Sequence, residues 1–157
     1  MMFRLTILLP LLSLLLSPVA AQDMHEMHHQ RQAIRMPGSA EGLPYSSAIR
    51  VGPMLYLSGQ VGVVPGSRTL APGGIEAETR QVLDNIKAVL EHAGSSMTRV
   101  VKCTVFLLDI ADYAAMNRVY ASYFPTDPPA RSAFATSGLP LNARVEIECI
   151  ALAGEAM

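Results

Sequence analysis

Hydrophobic and polar positions change their period several times along this chain, and each change predicts an element. Residues Tyr45–Val51 and Met54–Gln60 read as two strands joined at the turn-forming pair Gly52-Pro53. In the second, Leu55 and Leu57 fall on one face and Tyr56, Ser58 and Gln60 on the other. A short strand or loop over residues 61–64 turns at Pro65-Gly66-Ser67. The period then becomes helical from Glu76 to His92, with Val82, Ile86, Val89, Leu90 and Ala93 on one stripe and Gly94 as the stop. Glu76 and Glu78, in the first turn, suit the positive end of the helix dipole. Arg99–Leu108 predicts a strand whose apolar face is Val101, Cys103, Val105 and Leu107. A second helix is predicted over Asp112–Phe124, where Tyr113, Met116, Tyr120 and Tyr123 recur at helical spacing, a pattern more often core than ligand box.

Two strands, Ala133–Ser137 and Arg144–Ala153, close the pattern. In the last one Val145, Ile147, Cys149 and Ala151 share a face, while Glu146, Glu148, Ile150 and Leu152 share the other. That second face begins acidic and turns apolar, as in a strand that passes from a wet cleft into a dry contact. The predicted fold class is α+β, a mixed sheet with two helices packed on one face. Two helices leave the opposite face, with Tyr56, Ile150 and Leu152, to be covered by a second copy of the chain. A site at that joint would combine residues of two subunits.

The N-terminal segment has a different character. A short start containing Arg4, an apolar run from Leu5 to Leu16 and the small residues of Pro18-Val19-Ala20-Ala21 read as a signal peptide over residues 1–21. The run falls short of the roughly 20 residues that span a bilayer and contains Pro10. The expectation is therefore a periplasmic or secreted protein with no membrane association after cleavage. Residues 22–42 read as a flexible leader, and the folded domain is expected over residues 43–154. Within the leader, Met24-His25-Glu26-Met27-His28-His29 offers imidazole and thioether groups, but no defined metal-site spacing, so no metal is assigned. With 12 basic and 13 acidic residues and no basic stripe, nucleic acid is excluded as an expected partner. Cys103 and Cys149 fall on apolar strand faces; an oxidising compartment would allow them to pair, but buried free thiols are the expectation.

The candidate chemistry centres on Pro128-Pro129-Ala130-Arg131-Ser132, which delivers one arginine to the start of an apolar strand. A planar guanidinium matches two carboxylate oxygens and stays charged in any pocket. By itself, a lone arginine before a strand is more often a surface residue.

Context raises its standing. From Pro44 to Ala153 the chain resembles the Rid (YjgF-type) enamine/imine deaminases, through Pro44-Tyr45-Ser46-Ser47-Ala48, Leu57-Ser58-Gly59-Gln60, Gly73-Gly74-Ile75-Glu76-Ala77-Glu78-Thr79, Val101-Lys102-Cys103-Thr104-Val105-Phe106-Leu107, Pro129-Ala130-Arg131-Ser132 and Val145-Glu146-Ile147-Glu148. Singly these segments are weak; their order and spacing are specific.

The resemblance implies a chorismate-mutase-like fold and a homotrimer with clefts between subunits. It implies a cofactor-independent deaminase of the 2-iminobutanoate/2-iminopropanoate type, hydrolysing 2-imino or 2-enamino acids to 2-oxo acids and ammonia. Arg131 would hold the substrate carboxylate, helped by backbone at Gly59 and Ala133, and Glu148 would position or activate water. Tyr45 and Ser58 would shape the pocket and Asn117 would support it. The alternative is a non-catalytic member of the same fold that binds small carboxylates or proteins. Many relatives carry Cys where this chain has Ala133, so a thiol-dependent side activity is not expected. An exported member would also need its imines made outside the cytoplasm, for example by an amino-acid oxidase.

Overall fold

The computed structural model describes residues 30–39 and 42–154; the signal-peptide reading and the His/Met run lie outside the described residues. The strands are β1 (Arg31–Ile34), β2 (Ala48–Val51), β3 (Met54–Leu57), β4 (Gln60–Val61), β5 (Val100–Leu107), β6 (Ala130–Ala135) and β7 (Val145–Leu152). The helices are α1 (Ile75–His92) and α2 (Tyr113–Tyr123). The strands form one sheet in the order β1-β2-β3-β7-β5-β6, with β4 also pairing to β7. All pairings are antiparallel except β5 with β6.

β7 is central because every second residue of it is apolar and the register suits both neighbours. Val145, Ile147, Cys149 and Ala151 are buried beneath the helices, as the alternation predicts. From α1, Val82, Leu83, Ile86, Val89 and Leu90 pack onto the sheet; from α2, Met116, Val119 and Tyr120 do so. Among the described residues nine fully buried Leu, Ile or Val side chains would each contribute about 1.5–3 kcal/mol of transfer free energy, so this layer supplies a large share of the drive to fold. The opposite face of the sheet is bare. Tyr56, Phe134 and Leu152 are exposed there, and Phe106 packs edge-on against Phe134 at 5.2 Å between ring centres.

Three expectations are corrected. Residues Arg31–Ile34, read as leader, form an edge strand that pairs with β2 from Arg31 opposite Val51 to Ile34 opposite Ala48. Its four residues carry only a weak alternation, and the partner strand supplies the order. In β5 the apolar face is Val100, Cys103, Val105 and Leu107, not Val101. A register shift between Val100 and Lys102 turns Val101 outward, an irregularity that an alternation count cannot see. Finally, Cys103 and Cys149 are joined in a disulfide. They sit directly opposite each other on β5 and β7, at a Cα separation of 4.1 Å. Close cross-strand placement, which only the sheet register reveals, turns two core thiols into a bridge.

The acidic first turn of α1 also does more than face the helix dipole. Glu76 forms an exposed ion pair with Arg118 of α2 at 2.6 Å. Glu78 is buried and its Oε2 accepts from the Arg144 backbone N–H at 2.8 Å. Arg144 in turn grips the buried Asp112, donating from Nε at 2.9 Å and Nη2 at 2.7 Å. These contacts fix the start of β7 against both helices, just before the strand's two glutamates.

Candidate active site

Arg131 lies on edge strand β6 beside Cys103 in the parallel register, and Cys103 is a core residue. Its side chain therefore projects to the helix face, at the margin where α2 ends the core. There the guanidinium carbon stands 4.6 Å from the Tyr120 ring centre and 5.6 Å from that of Tyr113. Both distances are within reach of cation–π attraction. Nη2 donates to the Tyr113 hydroxyl at 3.1 Å. Hydrogen bonding from Asn117, one turn along α2, and then the Arg131 charge hold the Tyr113 phenol below its ordinary pKa. Burial pushes the Tyr120 phenol up to about 12, against the opposing pull of Arg131. The buried Asn117 Oδ1 and Tyr120 hydroxyl have no hydrogen-bond partner among the described residues.

The aromatic stripe of α2 is thus only partly core. Met116 and Tyr120 are buried, Tyr113 is exposed, and Tyr123 donates to Asp84 Oδ1 at 2.7 Å. Helical spacing placed Tyr113 and Tyr120 on one side of the helix. What they face depends on a strand that follows them in the chain.

The second cluster gathers at the end of β3, where Gly59 meets the bare-face carboxyl of Glu146. Ser58 donates to the Ser46 carbonyl at 2.7 Å, and its N–H bonds the Ser47 carbonyl at 3.1 Å, so Ser58 clips the Tyr45–Ser47 segment to the strand end. Tyr45 is 55% exposed and lines a groove of about 550 Å³ with Gly59, Gln60, Met36, Pro37 and, from α1 on the helix side, Asn85. A side chain at Gly59 would overlap Glu146 Oε1, so glycine there lets the Glu146 carboxyl lie against the backbone. Burial, and secondarily the neighbouring Glu148, raise the Glu146 pKa above its usual range. Glu148, opposite Thr104 and on the same face, remains exposed.

Arg131 and Glu148, the two catalytic residues expected from the sequence, are therefore on opposite faces of the sheet. Asn117 joins the Arg131 cluster through Tyr113, and Ala133 follows Arg131 along β6 beside core residue Val105. Tyr45, Ser58 and Gly59 join the other cluster. The sequence reading passed over Glu146, which is the carboxylate drawn against Gly59, and over Tyr113 and Tyr120. For Glu146 the signal was present in Val145-Glu146-Ile147-Glu148; alternation gives both glutamates one face and cannot choose between them.

A family model described as Endoribonuclease L-PSP matches residues 37–153. The chain belongs to this family, that of the Rid (YjgF-type) proteins. It is 49% identical over 111 residues to a goat protein named 2-iminobutanoate/2-iminopropanoate deaminase, covering 71% of this chain and 81% of the relative. It is likewise 49% identical over 108 residues to a RutC family protein of Pyrococcus horikoshii, covering 69% of this chain and 86% of that one. The crystal structure of RidA from an Antarctic Psychrobacter superposes with a TM-score of 0.72 at 39% identity, over 77% of this chain and 98% of that one. The Escherichia coli YjgF gene product gives 0.71 at 36%, over 77% and 98%. The mixed sheet with two helices on one face is the fold these Rid structures share.

Proposed function

We propose that this Rid protein hydrolyses 2-imino and 2-enamino acids to 2-oxo acids and ammonia, in clefts between the subunits of a homotrimer. The observation that carries this reading is the division of one sheet into a cationic cluster at Arg131 on one face and a half-buried carboxyl, Glu146, on the other. Relatives at 43–49% identity named 2-iminobutanoate/2-iminopropanoate deaminase support the reaction type and small aliphatic substrates. The bare, partly apolar face supports burial against neighbouring copies. The family description refers to an endoribonuclease, but an acidic pair on the bare face and a net charge of −1 do not favour a polyanion.

The chemistry follows from the residue types. An enamine first tautomerises to the imine. Arg131 of one subunit holds the substrate carboxylate bidentately and sets C2 in place. Glu146 of the neighbouring subunit takes a proton from water as the oxygen bonds to C2 and the C=N π electrons move to nitrogen. The same carboxyl returns that proton to nitrogen to give the carbinolamine, then takes the proton of the new hydroxyl and passes it to the amine as the C–N bond breaks, so that the carbonyl forms and ammonia leaves. A carboxyl with a raised pKa suits both halves of this shuttle better than an ordinary one. Glu148, two residues on, assists by its charge.

The test is release of 2-oxo acid from freshly generated imino acid by the purified domain. Activity in the parent, its loss in Arg131→Ala and in Glu146→Gln, and its partial survival in Glu148→Gln are expected. No acceleration by the parent would sink the reading; retained binding of 2-oxobutanoate without turnover would favour the non-catalytic alternative. We further propose that the protein works outside the cytoplasm, supported by the Cys103–Cys149 bridge and the N-terminal sequence pattern. Recovery of the protein only in cytosolic fractions would overturn this.

A further inference from the structure

The reading of Arg131 as a carboxylate grip leaves the hydroxyl beside it unexplained. Tyr113 is 38% exposed, so its hydroxyl is not needed to complete the core. A guanidinium can only donate, so in the 3.1 Å contact the phenol oxygen accepts from Arg131 Nη2. Asn117, one turn along α2, lies beside it, and its Oδ1 has no partner among the described residues. Among the described residues no acceptor takes the phenol proton. An O–H whose oxygen already accepts from a cation is polarised into a stronger donor.

We propose that Tyr113 is a substrate-binding residue, its O–H donating to the same carboxylate that Arg131 grips, so that guanidinium and phenol form a paired anion clamp. The proposal rests on the reading of Arg131 given above. The Tyr120 ring, 4.6 Å from the guanidinium carbon, walls the clamp on one side and keeps the fork from swinging away. The clamp distinguishes a carboxylate from its neutral derivatives, because a neutral group offers neither the charge nor two equivalent acceptor oxygens.

The test uses 2-oxobutanoate and its neutral amide as probes, with affinity followed by calorimetry on the folded domain and KM and kcat measured with imino acid. Tyr113→Phe keeps the ring and loses only the hydroxyl. It is expected to weaken 2-oxobutanoate roughly tenfold, equivalent to about 1.4 kcal/mol, to raise KM by a similar factor and to leave kcat within about twofold. Binding of the amide should be unchanged, and 3-fluorotyrosine at position 113 should restore affinity for the acid. Thermal melting checks that each variant is folded. Parent-like affinity in Tyr113→Phe, or an equal loss for acid and amide, would overturn the clamp. Because the binding arm needs no turnover, a parent that binds the acid through Arg131 and Tyr113 but hydrolyses nothing would overturn the deaminase reading while supporting the clamp.

Discussion

Arg131 and Glu146 belong to one continuous sheet yet project from opposite faces of it. Arg131 shares a cross-strand row with the core residue Cys103, whereas Glu146 lies opposite Phe106 on the bare face. Strand geometry forbids these side chains from meeting within one chain, because successive residues alternate faces and the sheet lies between them. A site that needs both must be closed by a second copy.

Mixing two inactive parents should therefore restore activity. Arg131→Ala and Glu146→Gln chains, denatured together and refolded at equal ratio, are expected to recover roughly a quarter of the parent activity, since a cyclic trimer with random mixing forms one intact joint in each mixed assembly. Each variant refolded alone should stay inactive. Absence of recovery, with mixed trimers verified by mass spectrometry, would mean that both residues act from the same chain.

The raised Glu146 pKa makes a paired prediction about pH and stability. Its folded-state pKa lies above the unfolded value, so the folded chain binds more protons through that range. The associated stabilisation is present at low pH and lost as pH rises through the folded pKa. Glu146→Gln should accordingly leave stability at pH 7 unchanged or slightly higher while abolishing turnover. Glu148→Gln removes the like charge and should move the acid limb of the kcat/KM profile to lower pH; an unmoved limb would show that another group sets it.

Gly59→Ala isolates the seat of the Glu146 carboxyl. The added methyl would overlap the far end of a flexible side chain, so the fold should survive with a loss of about 1 kcal/mol or less and Glu146 should swing out. Turnover should fall by at least tenfold while Arg131-dependent binding of 2-oxobutanoate persists. Parent-like turnover would show that this seat is not needed for the chemistry.

Disulfide reduction offers a measure of stability. The bridge closes a 46-residue separation, for which loop-closure entropy gives about 4 kcal/mol. Both cysteines are at most 2% exposed, so thiol reagents should reach them only after unfolding. Urea titrations with and without reductant should show this difference in unfolding free energy; coincident curves would mean that the bond contributes nothing.

The sequence by itself determined the two helices, the β7 alternation and the bare face, because each depends on a local period of apolar residues. It also delivered Arg131, Asn117, Tyr45, Ser58 and Gly59 as candidates, through short motifs whose order is specific. Tertiary structure decided what depends on register and on neighbours distant in the chain. Only the packing of β4 against β7 separates Glu146 from Glu148, since both share a face and differ in what covers them. Only the β5–β7 pairing sets Cys103 opposite Cys149. The edge strand β1 draws its order from β2 rather than from its own pattern. And only the parallel β5–β6 register turns Arg131 toward Tyr113 and Tyr120, on the face opposite Glu146.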